Sequence, residues 1–206
     1  MSERGAWRAV AGGCASLVAA VAALWWATAG FSAITYDGAK AARLASRPRA
    51  VPRVRLVTAD GAVLALPLRE QVTIVDFVST SCVAVCLAQG ASLQALQRLI
   101  RERGLVGRVA LLSVSFDPDD DAGRLDGFAA TRGLAPDIWR IARADGDARR
   151  ALLDTFDIRI VRDPLAGWRH NAALHIVDRD GALRAVHEVA DVRGALRTAT
   201  QLTETP

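Results

Sequence analysis

The chain is short of the residues that staple small secreted folds or read nucleic acids. It has three cysteines in 206 residues, Cys14, Cys82 and Cys86. That is too few for a disulfide scaffold, and the chain is long enough to bury a core without one. Aromatic residues make up 5% of it. The basic stretches at 40–55 and 143–150 do not interleave aromatics, which argues against a single-strand nucleic-acid surface. The formal charge of +4 is mild and spread along the chain. The three histidines, His170, His175 and His187, stand singly. A structural zinc site, which takes four ligands, therefore has no second pair to draw on. The acidic run Asp117-Pro118-Asp119-Asp120-Asp121 lacks EF-hand spacing and a distal glutamate, and reads as a turn with a helix-capping aspartate. There is no internal repeat.

About half of the residues are apolar, 51% of the chain, which suffices for one compact domain with an appendage. Residues 9–35 carry no charge, and a spanning helix needs about 20 apolar positions. Trp25, Trp26 and Tyr36 near its far end fit an interfacial belt. Residues 1–36 are thus expected to be a transmembrane anchor. The competing expectation is a cleaved signal, with Arg4 and Arg8 in front and Ala27-Thr28-Ala29 as the small-x-small site. Cys14 does not suit a lipobox, because most of the apolar run follows it. A small buried residue is the plainer reading. Residues 37–52, rich in Ala and Arg with Pro48 and Pro52, read as a linker.

From residue 53 onward strands alternate with helices. Hairpins are expected at 54–66 and 172–189, around Ala59-Asp60-Gly61 and Arg179-Asp180-Gly181. Residues 72–78 and 108–116 read as buried strands, and 138–142 as a shorter one. Helices are expected after Cys86 (with Leu93, Leu96 and Ile100 on one face), from Asp121, over 147–156 and over 191–202. This order predicts an α/β sandwich with parallel pairs and a terminal antiparallel hairpin.

The chemistry concentrates in Thr80-Ser81-Cys82-Val83-Ala84-Val85-Cys86, directly after a predicted strand. If a helix begins at or just after Cys82, the two cysteines lie one turn apart on one face. A helix N-terminus favours thiolates. Two thiolates so placed can close a disulfide or grip a soft metal such as Cu(I). His170, in the loop Gly167-Trp168-Arg169-His170-Asn171 before a predicted strand, is the candidate third ligand. His175 and His187 fall inside strands and read as pairing or surface residues. Two sulfurs and one nitrogen would make a trigonal copper site.

Several blocks together resemble the Sco/SenC family of thioredoxin-fold copper chaperones. These are Thr58-Ala59-Asp60-Gly61, Asp76-Phe77-Val78-Ser79-Thr80-Ser81-Cys82 leading to Cys86, Ser115-Phe116-Asp117-Pro118 with Asp121, and His170 five residues before His175-Ile176-Val177-Asp178. The resemblance covers about 54–202. It implies a thioredoxin-like domain over 53–206, with copper held by Cys82, Cys86 and His170. It also implies delivery to a copper-receiving subunit of cytochrome c oxidase or to another copper chaperone. Where the family has prolines after each cysteine and an acid between them, this chain has Val83, Leu87 and Ala84.

The basic residues after the apolar run would, counted alone, hold the domain in the cytoplasm. The resemblance implies the opposite, a single-pass protein of the cytoplasmic membrane with its domain in the periplasm. The main alternative function is a thiol–disulfide reductase that keeps a recipient's cysteines reduced through the Cys82–Cys86 pair. A metal-free redox sensor is another. The reductase has no need of His170.

Overall fold

A computed structural model of the chain describes residues 3–27, 40, 43–44, 46–81, 85–163 and 167–204. The chain divides into two compact units, Met1–Arg43 and Leu44–Pro206. In the first, helix α1 spans Glu3–Ala27, and Leu17, Val18, Val21, Leu24, Trp25 and Trp26 on it are exposed. Among the described residues, no helix is long and apolar enough to cross a membrane. The expected spanning helix is therefore not found among the described residues, and the uncharged run past Ala27 lies outside them. Cys14, expected to be buried, is exposed, and among the described residues nothing covers that part of α1.

The second unit is built on an eight-stranded mixed sheet in the order β1-β10-β9-β4-β5-β6-β2-β3. Its centre is β4 (Val72–Val78) and β5 (Val109–Ser115), paired in parallel and buried at every position. Near-continuous apolar runs in both explain this, because a central parallel strand is covered on two faces. β6 (Trp139–Arg143) continues the parallel set, and β2 (Val54–Thr58) with β3 (Val63–Leu66) adds a hairpin at one edge. On the other side β9 (Ala173–Val177) runs antiparallel to β4 and pairs with β10 (Ala182–Glu188). The two-residue strand β1 (Arg49–Ala50) closes that edge, so the sheet begins within the stretch read as linker.

Among the described residues, this sheet is covered by α2 (Val85–Glu102), α3 (Ala122–Arg132), α4 (Gly146–Phe156) and α5 (Val192–Glu204). Alternation along β4 sorts them. Val72, Ile74 and Val78 join one core with Leu93, Leu96 and Ile100 of α2, Leu125 and Phe128 of α3, and Leu196 of α5. Phe77 faces the other way, against Phe156 of α4 at a ring separation of 5.2 Å. Burying each such side chain is worth about 1.5–3 kcal/mol. Asp121 caps α3 as its position in the acidic run predicts, accepting the Arg124 N–H at 2.9 Å.

One expectation fails inside this domain. Residues 167–171, read as a loop, contain the strand β8 (Gly167–His170), which pairs with β7 (Ile160–Asp163) in a separate two-stranded hairpin. Four-residue strands set apart from the main sheet give too short a period to stand out in the sequence.

Candidate functional site

The site is organised around the turn after β5. Strand β4 ends at Val78 and hands the chain to Ser79-Thr80-Ser81, immediately before Cys82. Two buried carboxylates from the turn hold this short segment. The Ser79 and Ser81 hydroxyls both donate to Asp117 Oδ2 at 2.8 Å. The Thr80 N–H donates to Asp120 Oδ2 at 3.0 Å, and the Thr80 hydroxyl bonds Asp120 Oδ1. Ser115 adds a bond to Asp120 Oδ2 at 2.5 Å and accepts the Asp117 N–H at 3.2 Å. Burial alone would raise the Asp117 carboxyl. Hydrogen bonds from the Asp119 N–H, Ser79, Ser81 and Trp168 outweigh it and hold the group below the usual carboxylate range. The acidic run, read from sequence as a turn with a cap, is thus also the brace beneath the cysteine segment.

The same turn carries the histidine. His170 ends β8 with its ring against Phe116 at 4.9 Å, and Trp168 meets Phe116 edge-on at 6.3 Å. Trp168 also bonds Asp117, so Phe116 and Asp117 touch the β7–β8 hairpin on one side and the 79–81 segment on the other. Behind His170, the Asn171 side chain ties the hairpin to α4, accepting the Arg159 N–H at 2.7 Å and donating to the Asp157 carbonyl at 3.0 Å.

His170 is partly buried. Its Nδ1 lies 3.2 Å from the Asn171 carbonyl oxygen, while Nε2 is buried with no hydrogen-bond partner among the described residues. The carbonyl can only accept, so it fixes the proton on Nδ1 and leaves a lone pair on Nε2. Burial lowers the basicity of the ring, with the Asn171 contact acting in the opposite direction, so the neutral form is favoured. A neutral imidazole with one nitrogen tied to a carbonyl and the other open is the state in which histidine ligates a metal.

The other histidines are structural. His175, expected at a pairing or surface position, pairs with Val75 of β4 and Val186 of β10 and is buried among aromatic rings, 5.2 Å from Phe156 and 6.0 Å from Phe77. Its strand lies against β4 and is covered on both faces, which the alternation signal could not show. His187 bonds Asp191 and Thr198, each at 3.0 Å, and joins β10 to α5.

Cys86 is in the first turn of the described part of α2, while Cys82 and the Cys86 side chain lie outside what is described. Among the described residues, no three His, Cys, Asp or Glu side chains form a group able to hold a metal ion. Below the segment, Gln89 of α2 donates to the buried Asp76 Oδ2 at 2.7 Å and to the Phe77 carbonyl at 3.1 Å. Ser113 donates to Asp76 Oδ1 at 2.6 Å and accepts the Trp139 indole N–H at 2.9 Å. Burial pushes Asp76 up to about 6 in spite of these bonds. Sequence reading used Asp76 only as part of a motif and missed Gln89 altogether. A lone glutamine one turn after Cys86 carries no signal until the helix is laid on the sheet.

No family model matches the chain, and no curated protein matches it in sequence. Solved structures do match it in shape. A SCO1/SenC family lipoprotein from Bacillus anthracis superposes with a TM-score of 0.68 at 21% identity, covering 76% of this chain and 97% of that one. BsSco, a Sco-family cytochrome c oxidase assembly protein in which a disulfide switch was identified, gives 0.67 at 21% identity over 78% of this chain and 96% of its own. ScoI of Bradyrhizobium japonicum, solved with copper bound, gives 0.61 at 16% identity over 74% and 99%. The fold found by superposition and the motifs read in the sequence therefore meet at one place: this chain carries the thioredoxin-like fold of the Sco/SenC proteins.

Proposed function

We propose that this chain is a copper-binding assembly protein of the Sco/SenC kind, with copper as its cargo and Cys82, Cys86 and His170 as the ligands. The observation that carries the proposal is His170 Nε2, buried, unpartnered among the described residues and held in the ligating tautomer by Asn171. An orphaned polar atom of this kind costs about 1–3 kcal/mol unless something completes it. A soft, thiolate-bound copper ion brought up to it would do so. The Phe116–Asp117 turn supports this reading because it braces both the histidine hairpin and the segment that leads into Cys82.

Delivery needs ligand exchange and no net reaction. The reduced thiols release the ion to the thiolates of a copper-receiving oxidase subunit or of another copper chaperone. Oxidation of Cys82 and Cys86 to a disulfide would remove two electrons and two protons and withdraw both sulfur ligands, so loading requires the reduced pair. The rival reading, a thiol–disulfide reductase, uses the same two cysteines but leaves the open nitrogen of His170 without a purpose.

Residues 1–36 we propose as the targeting segment, with the domain outside the cytoplasmic membrane. The run of exposed apolar side chains on α1 supports an apolar surrounding for that helix. The test of the cargo is direct. Reduced full-length chain in detergent should bind copper stoichiometrically, and a Cys82→Ser/Cys86→Ser variant should not. Equal binding by both would remove the proposal.

A further inference from the structure

The β2–β3 hairpin ends the main sheet on one side, and β3 is its outer strand. Edge strands are ordinarily guarded by charged side chains, because their unpaired N–H and C=O groups can take up a further strand. Residues 61–68 carry no charge. The outward side chains are Val63, which is 55% exposed, and Ala65, also exposed.

Pairing with β2 fixes which backbone groups of β3 point outward. The hairpin turns at Gly61, whose N–H bonds the Thr58 carbonyl at 2.9 Å and whose φ of 79° suits glycine. The Thr58 N–H then donates to the Ala62 carbonyl at 2.9 Å, so Thr58 and Ala62 form a bonded pair. Bonded and non-bonded pairs alternate along an antiparallel ladder. Leu56 with Leu64 and Val54 with Leu66 are therefore bonded, whereas Val57 with Val63 and Arg55 with Ala65 are not. The N–H and C=O groups of Val63 and Ala65 point away from β2, and among the described residues no strand pairs with them.

These groups match a second copy of the same edge. Outward-pointing residues must meet outward-pointing residues, so an antiparallel pair can set Val63 against Val63, Val63 against Ala65, or Ala65 against Ala65. The first register runs Ala65 into the Gly61 turn, whose N–H is already bonded. The third sets Val63 against Pro67, which has no N–H. The second uses every outward N–H and C=O of both copies. It is symmetric about Leu64, so it closes as a two-fold dimer. Directly opposed residues share a face of the sheet. Leu64 lines a cavity of about 240 Å³ with Leu134, Trp139 and Ile141, and Leu64 of a second copy would arrive at its edge. We infer that β3 is a homodimer interface, formed by antiparallel pairing with β3 of a second copy in the register centred on Leu64. The contact is short, so the association is weak. It goes beyond the proposed copper function and uses none of the residues assigned to it.

Sedimentation equilibrium of the full-length chain in non-ionic detergent, over about 0.01–0.5 mM, reads the association. Val63→Lys/Ala65→Lys sets like charges directly opposite each other in both pairs, and Val63→Lys/Ala65→Glu sets opposite charges there instead. The wild type and the opposite-charged variant should dimerise, and the like-charged variant should associate about tenfold more weakly. Association through α1 would treat the two variants alike. Both positions are exposed and the variants differ at one residue, so a shared folding defect would not separate them. Ala65→Pro tests the backbone by removing an outward N–H while sparing the β2 ladder, and it should also weaken the dimer about tenfold. Amide exchange at Val63 and Ala65 should slow as the wild-type concentration rises. A wild type that stays monomeric, or charge variants that associate equally, overturns the inference. So does an Ala65→Pro variant that dimerises as tightly as the wild type.

Discussion

Asp76 and Asp117 have carboxyls shifted in opposite directions, because Asp76 is the more deeply enclosed and the hydrogen bonds to Asp117 outweigh its burial. Asp117 is met by four donors and stays ionised, with Ser79, Ser81, Trp168 and the Asp119 N–H around it. Replacing it with alanine strips the acceptor from those groups at once. Asp117→Ala should lose about 1–3 kcal/mol of unfolding free energy in urea. Asp76 is fully enclosed, and its burial outweighs the Ser113 and Gln89 bonds and raises it to about 6. A carboxyl raised on folding stabilises the fold fully below its unfolded value, near 4, and that contribution is lost as pH rises through about 6. Two units correspond to roughly 3 kcal/mol. The wild-type chain should therefore lose stability, relative to Asp76→Asn, between about pH 4 and about 6. Melting temperatures of the pair across that window check it, and parallel curves would mean that Asp76 is not protonated in the fold at its lower end.

At the scale of elements, the β7–β8 hairpin is the piece that makes or breaks the site. It is not part of the main sheet, and among the described residues its two strands pair with each other alone. It is held by the Trp168 and His170 contacts with Phe116, the Trp168 bond to Asp117 and the Asn171 bridge to α4. Trp168→Ala should raise amide exchange across 160–170 while β4 and β5 keep their protection. Unchanged exchange in the hairpin would show that Trp168 does not anchor it. This is also where the sequence was least legible. The strands 72–78 and 108–116 announced themselves by unbroken apolar runs, and the helical face of Leu93, Leu96 and Ile100 by its period. The hairpin has only four residues a side, and its anchors lie far away in the chain. The bracing roles of Asp117 and Asp120 were hidden for the same reason. Each depends on a partner 36 or more residues away, which no local pattern reports.

Across the whole domain, the sheet brings the ends of β4 and β5 together and lays the histidine hairpin over the turn that follows β5. Cys82, Cys86 and His170 were found in the sequence by spacing between blocks. The structure contributes the reason His170 stands apart from the two other histidines. His187 is hydrogen-bonded through both ring nitrogens and His175 is enclosed in β9 by the Phe77 and Phe156 rings, whereas His170 lies against Phe116 in the turn that braces the 79–81 segment and keeps Nε2 buried and open. The central claim is that this nitrogen is a copper ligand beside the two cysteines. It is tested most directly by loading reduced, full-length chain and its His170→Ala variant with copper in detergent and recording the Cu(II) spectra. A thiolate-to-copper charge-transfer band in the wild type that the variant loses, together with weaker binding by the variant, is the predicted result. Identical spectra and equal affinity in the two proteins would contradict the account.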